Sequence, residues 1–289
     1  MSVEYENLEK GVLETQVMTS SQLSNFPIKL HNKNITRSTL IIGLLMAALS
    51  SVWLFFPDLV ITKQEANQVN DLVNLVIGLP VLLISLWMIN RSYYLGWLLL
   101  PGGLIYVIYN YLAYLFGEPL SLSSFFYVGL ILLSSYTLVD FLRSVNHEKV
   151  KQQLERTVPY KIPGGVLVLF GAGFFLLACY QIVNGLIQGT IPPLGENAVS
   201  LGDLVVSGFW FIGGIYLLQK RSPGYTFALG LLFVTCTLFI GLILFFFLAP
   251  VMTSREFNWN EVIQILLMSM IGFVPTAFYW RGVVLRKQF

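Results

Sequence analysis

Eight long apolar stretches recur along this chain of 289 residues, and they constrain its fold more than any other feature. A helix that crosses a lipid bilayer needs about 20 consecutive and largely apolar residues, because the hydrocarbon layer is about 30 Å thick. The sequence predicts such helices at residues 38–56, 71–89, 94–116, 121–142, 164–186, 201–218, 225–249 and 260–280. We refer to them as the first to eighth spans.

The composition indicates that these stretches face lipid. Apolar residues make up 56% of the chain and charged residues only 11%, whereas soluble domains carry about 25% charged residues. A soluble chain of this length needs polar side chains over most of its surface. The fold class predicted is therefore an all-α membrane protein, with the lipid bilayer as its surroundings. The net charge of +2 is too small to favour nucleic acid as a partner.

The basic residues predict the orientation of the chain. Cytoplasmic loops of membrane proteins hold an excess of lysine and arginine. With eight spans, all but two of the 17 basic residues fall on the side that also holds both termini. The exceptions are Lys63 and Arg255. We therefore predict cytoplasmic termini.

Acidic residues mark the opposite ends of the even-numbered spans. Asp71, Glu118, Asp203 and Glu261 lie at or just before their predicted outer ends, where a negative charge complements the helix dipole. The spacing of Ser200 and Asp203 also predicts a capping box at the start of the sixth span.

The two halves of the chain predict an internal duplication. Asp-Leu-Val opens the second span at Asp71 and the sixth at Asp203, and Arg-Ser follows both spans at Arg91 and Arg221. The predicted organisation is a cytoplasmic tail (1–37), a four-helix repeat (38–143), a cytoplasmic linker helix (144–163), a second four-helix repeat (164–281) and a tail (282–289). An even number of spans per half makes the repeats parallel.

The linker is rich in Glu, Gln and Lys, and it contains two apolar residues four positions apart. Val150 and Leu154 could lay an apolar edge on the membrane surface. Alternatively, the segment is a solvated connection.

Motifs of many enzymes and metal sites are absent. The sequence contains no P-loop, no H-E-x-x-H and no C-x-x-C. Its histidines, His31 and His147, lie outside the spans, and its cysteines, Cys179 and Cys236, lie within apolar runs as small packing residues. We predict no catalytic residue, no metal and no cofactor, which favours a protein that is not an enzyme.

Polar residues inside the spans are the candidate binding site. Tyr106, Asn110 and Tyr114 are spaced by four and share one face of the third span, at the depth where Asp71 and Asn74 enter on the second. Pro101-Gly-Gly103 predicts an interruption of the third helix. These features predict an outward-opening pocket among the second to fourth spans. Alternatively, the tyrosines form an interfacial belt and Asn110 bonds a neighbouring helix.

Two acidic residues at matching positions form a second candidate site. Asp71 and Asp203 could flank the axis between the repeats and attract a cation at the outer rim. The alternative is that both are solvated residues that stabilise helix ends.

The stretch from Asp71 to Gly117 contains DLVNLVIGLPVLLISLW and YVIYNYLAYLFG. It resembles segments of uncharacterised bacterial multi-span membrane proteins. The resemblance implies the cytoplasmic membrane of a prokaryote and implies no activity.

These features lead to three functional hypotheses. The first is a small transporter or channel-like protein, or a permease subunit, because doubled helix units and intramembrane polar groups are typical of transporters. The second is a membrane scaffold that packs against another subunit or a second copy of itself. The third is a lipid-acting intramembrane enzyme that uses Asp71 or Asp203 as acid or base.

The predicted orientation can be tested with reporter fusions. Alkaline phosphatase is active only outside the cytoplasm, so we expect active fusions at Lys63, Glu118 and Arg255 and inactive ones at His147 and Lys220. A fluorescent protein that requires the cytoplasm should give the reverse pattern. The same activity at all five positions would contradict the eight-span threading.

Overall fold

A computed structural model describes residues 33–56, 65–188 and 194–285 of the chain. In this part of the chain every regular element is helical, and eight helices are long and apolar enough to cross a membrane. The first, third, fourth and fifth spans lie in helices Lys33–Phe55, Tyr94–Gly117, Leu122–Ser144 and Lys161–Gln188. The sixth, seventh and eighth lie in helices Leu194–Leu218, Ser222–Met252 and Trp259–Val284. The chain is a multi-pass membrane protein, and the predicted number of spans is confirmed.

The second span has three consecutive segments. An α-helix at Glu65–Val73 leads into a π-helix at Asn74–Gly78, and an α-helix at Leu79–Asn90 follows. In the π-helix each backbone hydrogen bond spans five residues and not four, so that the Leu79 N–H donates to the carbonyl of Asn74. The irregular stretch of backbone therefore lies in the second span, where no interruption was predicted.

The third span does not contain the predicted interruption. Its α-helix runs unbroken through Pro101, although a proline inside a helix removes one backbone hydrogen bond. The adjacent glycine has a packing role, since a Cβ on Gly102 would lie 2.3 Å from the carbonyl oxygen of Gly230 in the seventh span. The predicted interruption is therefore wrong, and the small residues at this position instead permit two helices to approach closely.

The third span is the centre of the bundle. Of its most apolar 18-residue stretch 78% is buried, whereas the shares in the other seven spans are 22–39%. It packs against the second, fourth, sixth and seventh spans. These four spans therefore cover it, and they present their remaining apolar faces to the bilayer.

The second and sixth helices begin earlier than predicted. The second is helical from Glu65 and the sixth from Leu194, so Asp71 and Asp203 lie inside helices. The predicted helix-end role is therefore wrong for these two residues, whereas Glu261 does lie in the first turn of the eighth helix. The predicted capping box is also wrong, since the Ser200 hydroxyl donates to Oε1 of Gln181 at 2.6 Å. The apolar pattern begins late because polar residues in the first turns of the second span face protein neighbours.

The linker contains a short helix at His147–Leu154, which the Asn146 side chain caps by accepting from the Lys149 N–H at 3.1 Å. The helix packs against the seventh span. Val150 and Leu154 are buried in the protein core, so neither the membrane-surface interpretation nor the solvated one holds for them.

Two polar contacts fix the linker helix at the start of the seventh span. His147 Nδ1 lies 2.9 Å from the Thr226 hydroxyl, and Ser222 donates a hydrogen bond to Glu148. Burial lowers the pKa of His147 from its ordinary value, while a backbone hydrogen bond at Leu142 acts in the opposite direction.

The turn between the second and third spans has the same backbone hydrogen bonds as the turn between the sixth and seventh. In the first turn the Ser92 N–H donates to the Ile89 carbonyl, and the Tyr93 N–H donates to the Met88 carbonyl. In the second turn the Lys220 N–H donates to the Leu217 carbonyl, and the Arg221 N–H donates to the Tyr216 carbonyl.

Each turn also contains a non-glycine residue at positive φ. Among the described residues these are Ser92 (60°) and Lys220 (54°). Both turns are Schellman-type helix ends. They match residue for residue at an offset of 128 positions, whereas the Arg-Ser pairs noted in the sequence are 130 apart.

Each matching turn is followed by a glycine with no room for a side chain. A Cβ on Gly96 would lie 2.7 Å from the Ile89 nitrogen, and a Cβ on Gly224 would lie 2.4 Å from the Leu217 nitrogen. We expect Gly96→Ala and Gly224→Ala each to lower the free energy of unfolding by about 1–3 kcal/mol, because the added methyl overpacks the turn. Thermal or denaturant unfolding in detergent measures the loss.

Gly129→Ala is the matched control, because a Cβ at this position in the fourth span has no neighbour within 4 Å. This substitution should leave the stability unchanged or raise it, since alanine has a higher helix propensity than glycine. A loss in only one of the two turn variants would contradict the structural equivalence of the turns.

Candidate functional site

The candidate site lies where the second span begins and the third span ends. Four polar residues of the second span, at spacings of three and four, share one helix face. They are Asn67, Asn70, Asp71 and Asn74. The opposing face of the third span presents Tyr106, Asn110, Tyr114 and, after its last turn, Glu118.

Side-chain hydrogen bonds join the two faces. The Tyr106 hydroxyl donates to Oδ1 of Asn74 at 2.9 Å, and the Tyr114 hydroxyl donates to Oδ1 of Asp71 at 2.9 Å. Asn110 lies between these two tyrosines on the third span, and its Oδ1 accepts from Nδ2 of Asn70 at 3.3 Å. We call this set, completed by Asn67 and Glu118, the polar ladder. Among the described residues it forms a continuous polar seam between two apolar helices.

The five residues predicted to bind a substrate all lie in this ladder. They are Asp71, Asn74, Tyr106, Asn110 and Tyr114, and none is more than 5% exposed. The spacing in the sequence placed them correctly against one another, and their role in binding stays a prediction. Their burial shows that the ladder is closed in this conformation.

A glycine of the π-helix provides the space that the Tyr106 ring occupies. A Cβ on Gly78 would lie 2.3 Å from Cε1 of that ring. The π-helix therefore carries Asn74 at one end and the space for its hydrogen-bond donor at the other. Single-turn π-helices occur frequently at functional sites.

Glu118 closes the end of the ladder just beyond the third span. Its carboxylate accepts hydrogen bonds from Nδ2 of Asn67 and, at 3.2 Å, from the Tyr127 hydroxyl of the fourth span. The residue is 4% exposed. Burial raises the pKa of Glu118 to about 7, and the hydrogen bonds from Tyr127 and Asn67 oppose that rise.

Three tyrosine rings pack beside the two carboxylates. The ring centroids of Tyr111, Tyr114 and Tyr127 lie 5.4–5.7 Å from one another. Such tilted pairs stabilise packing beyond the apolar area they bury. The predicted aromatic belt at the interface is therefore, for these rings, a packed cluster inside the protein.

Three buried oxygen atoms at this cluster lack a hydrogen-bond partner. They are the Ser50 hydroxyl of the first span, Oδ2 of Asp71 and the Tyr111 hydroxyl. The Ser50 side chain lies close to both Asp71 and Tyr111. Buried polar atoms nearly always have a partner, so this group of oxygens requires an explanation.

Asp203 lies apart from Asp71. Its Oδ1 accepts from the Tyr109 hydroxyl at 3.1 Å, whereas Asp71 accepts from Tyr114. Tyr109 and Tyr114 are five residues apart and therefore point to different sides of the third span. The two carboxylates predicted as a shared rim have separate partners, and attraction of a cation stays a prediction for each.

Several site residues were missed in the sequence. Asn67 and Asn70 precede the predicted start of the second span, Glu118 was interpreted as a helix-end charge, and Ser50 is one serine among many in the first half. The three-and-four spacing of Asn67, Asn70 and Asp71 was the available signal, because it extends the polar face of the second helix by one turn.

No site for a metal held mainly by acidic or sulfur ligands is evident in the described part of the chain, which contains no group of three or more His, Cys, Asp or Glu residues. Cys179 and Cys236 are free thiols.

Comparison with protein-family models, curated proteins and solved structures finds no match to this chain.

The raised pKa of Glu118 predicts a specific pH dependence of stability. Because the folded-state pKa of about 7 lies above the ordinary value of 4.5, the protonated carboxyl stabilises the fold. This contribution is complete below the ordinary pKa and is lost as the pH rises through about 7. We expect the thermal stability of Glu118→Gln to fall less over that interval than the stability of the unsubstituted protein.

The control is Glu261→Gln, which removes an exposed carboxylate that accepts a hydrogen bond from Arg255 at 2.6 Å. This variant should keep the pH profile of the unsubstituted protein. Parallel profiles for Glu118→Gln and the unsubstituted protein would show that Glu118 does not titrate in this interval.

Proposed function

We propose that this membrane protein carries small polar solutes of positive charge across the bilayer and binds them at the polar ladder. The single observation that supports this proposal is the ladder itself, which buries two carboxylates and two asparagines between apolar helices and adds two half-buried asparagines, Asn67 and Asn70. Ionisable groups within transmembrane segments are expensive and commonly mark pathways for ions and substrates. A packing role alone would be served by apolar side chains of similar size.

The charge of the ladder supports a cationic solute. Asp71 and Glu118 both accept hydrogen bonds only from neutral groups among the described residues, namely Tyr114, Asn67 and Tyr127. A buried carboxylate without a cationic partner favours a positively charged ligand. Adjacent tyrosine rings also suit an alkylammonium group, because ring faces attract cations.

The π-helix supports a site that opens and closes. Irregular backbone at membrane depth is tolerated where it is buried in protein or lines a cavity. At one end of this segment Asn74 accepts the hydrogen bond of Tyr106, and at the other end Gly78 leaves space for the Tyr106 ring. Return of the π-helix to α-helical hydrogen bonding would rotate Asn74 away from Tyr106 and separate the two faces of the ladder.

We also propose that the chain is a duplicated four-helix unit. Within each half, each helix packs against the next and the fourth packs against the first. The turns match at an offset of 128 positions, and Gly102 contacts Gly230 at that same offset. Equivalent residues in contact are expected where two repeats meet at their axis. The equal losses expected for Gly96→Ala and Gly224→Ala test the same equivalence.

The two halves differ in polarity at equivalent positions. Tyr106, Asn110 and Tyr114 correspond at this offset to Val234, Leu238 and Leu242. We infer that the first half binds the solute and the second half supports the packing.

The proposed setting is the cytoplasmic membrane of a prokaryote, with both termini in the cytoplasm. Lysine and arginine accumulate on the side of the termini. In this orientation the ladder lies near the outer face, from which an outward-opening state would admit the solute. No nucleotide-binding motif is present in the sequence, so an ion gradient or a partner subunit would drive accumulation.

Reconstitution of the full-length protein in liposomes tests transport. We expect an inside-negative potential to drive uptake of radiolabelled methylammonium or choline above the level in empty liposomes, whereas neutral mannitol should not accumulate. Asp71→Asn should reduce the initial rate about tenfold or more, because a hydrogen bond to a charged group contributes about 1.5–3 kcal/mol. Tyr114→Phe, which removes one neutral donor, should have a smaller effect.

Thr237→Val is the matched control. Thr237 is a buried polar residue of the seventh span whose hydroxyl donates to the Phe233 carbonyl at 2.9 Å, outside the ladder. It should transport like the unsubstituted protein. Cation uptake that is absent, or equal in all variants, would reject the ladder as the solute site and favour the scaffold hypothesis.

A further inference from the structure

We propose that the protein binds one sodium ion between the Ser50 hydroxyl, Oδ2 of Asp71 and the Tyr111 hydroxyl. This inference deepens the proposed transport function and rests on it for its physiological meaning, because the ion would be the coupling ion. Binding of the ion itself can be measured without any transport.

The three oxygens come from three different spans and meet inside the bundle. Ser50 is 0% exposed, Asp71 2% and Tyr111 1%. None of the three atoms has a hydrogen-bond partner. The first, second and third spans thus each present one unsatisfied oxygen to the same buried position.

The oxygens are close to one another without fully satisfying one another. The Ser50 side chain is within reach of a weak hydrogen bond to both Asp71 and Tyr111, yet none of the three oxygen atoms has a partner with full hydrogen-bond geometry. Ligands of a metal ion have this arrangement, because they face a common centre and do not saturate each other.

The local charge favours a cation over a water molecule. Asp71 accepts one hydrogen bond, from Tyr114, and no described basic side chain forms an ion pair with it. Glu118 adds a second negative group nearby, and the tyrosines Tyr111, Tyr114 and Tyr127 surround both. Water could fill the position, but it would leave the carboxylate charge buried without compensation, which is costly.

The ligand set favours a monovalent ion. Hard cations bind oxygen ligands, and this position offers one carboxylate oxygen and two neutral hydroxyls. A divalent ion would require more than one carboxylate among its direct ligands, and Asp71 supplies the single one of this set.

The position explains how an ion could be coupled to a solute. One oxygen of Asp71 accepts from Tyr114 of the polar ladder, and the other faces the proposed ion. Sodium binding would fix the position of the Asp71 carboxylate and of the Tyr114 hydroxyl that donates to it, so that both are oriented for the solute. Loss of the ion would leave both groups free to move.

Thermal unfolding of the full-length protein in nanodiscs tests the ion site. Sodium chloride is compared with N-methyl-D-glucamine chloride at equal ionic strength and alkaline pH. We expect sodium to raise the melting temperature in a saturable manner. Ser50→Ala and Tyr111→Phe should each weaken the apparent affinity about 3- to 10-fold, which corresponds to one neutral ligand, and Asp71→Asn about 100-fold.

Two matched controls remove hydroxyls that are also buried and unpartnered but belong to other parts of the bundle. They are Ser134→Ala in the fourth span and Tyr225→Phe in the seventh. Both should retain the sodium affinity of the unsubstituted protein. If Asp71→Asn does not fold, the sodium affinities of Ser50→Ala and Tyr111→Phe, compared with those of the two controls, still test the ion site.

A melting temperature that is the same in both salts would overturn the proposal and assign the position to water or a proton. An equal sodium response in all variants would also overturn it, because the ion would then bind elsewhere. Sodium binding at the three oxygens without cation flux in liposomes would support the site and reject the transport function. Cation flux that depends on Asp71 in a protein that binds no sodium would support the transport function and reject the sodium site.

Discussion

The close approach of the third and seventh spans at Gly102 and Gly230 is the contact on which the rest of the bundle depends. A Cβ at Gly102 would collide with the Gly230 carbonyl, so the two helices cross with backbone against backbone. In a bilayer no hydrophobic force separates helices from lipid, and close van der Waals packing takes its place. This crossing places the third span at the centre, with the second, fourth, sixth and seventh spans around it.

A central helix that is enclosed by protein can carry polar groups that a lipid-facing helix cannot. Tyr106, Asn110 and Tyr114 are shielded from lipid by the second span, whose own polar face meets them. Each amide and hydroxyl bonded across the ladder avoids the penalty of an unsatisfied polar group in an apolar medium. The π-helix adjusts the second span to this task, because its extra residue per turn turns Asn74 towards Tyr106 and Gly78 leaves space for the ring. The ladder is thus a polar packing element of the membrane-spanning region described, and it is also the position at which we propose that a cationic solute binds.

In the duplication that we propose, the two halves share a backbone framework and differ in side-chain chemistry. Matching turns and matching glycines preserve the backbone at an offset of 128 positions, and these are the features in which a substitution would overpack the fold. Side chains along the third and seventh spans are free to differ where the backbone is not constrained. At the positions compared in the third and seventh spans, the first half is polar and the second half is apolar, and the proposed solute site therefore belongs to the first half.

The sequence by itself determined the membrane class and the number of spans, because each spanning helix must present its own run of apolar residues to lipid. It also brought together the five predicted ladder residues, since spacings of four place side chains on one helix face. Only the tertiary structure decided that Pro101 leaves its helix intact, that the irregular turn lies at Asn74–Gly78, and that Glu118, Ser50 and Tyr127 join the site. Helix periodicity reports which residues of one helix share a face. It contains no information on which faces of different helices meet, and that choice depends on close contacts such as Gly102 with Gly230, formed between residues far apart in the chain.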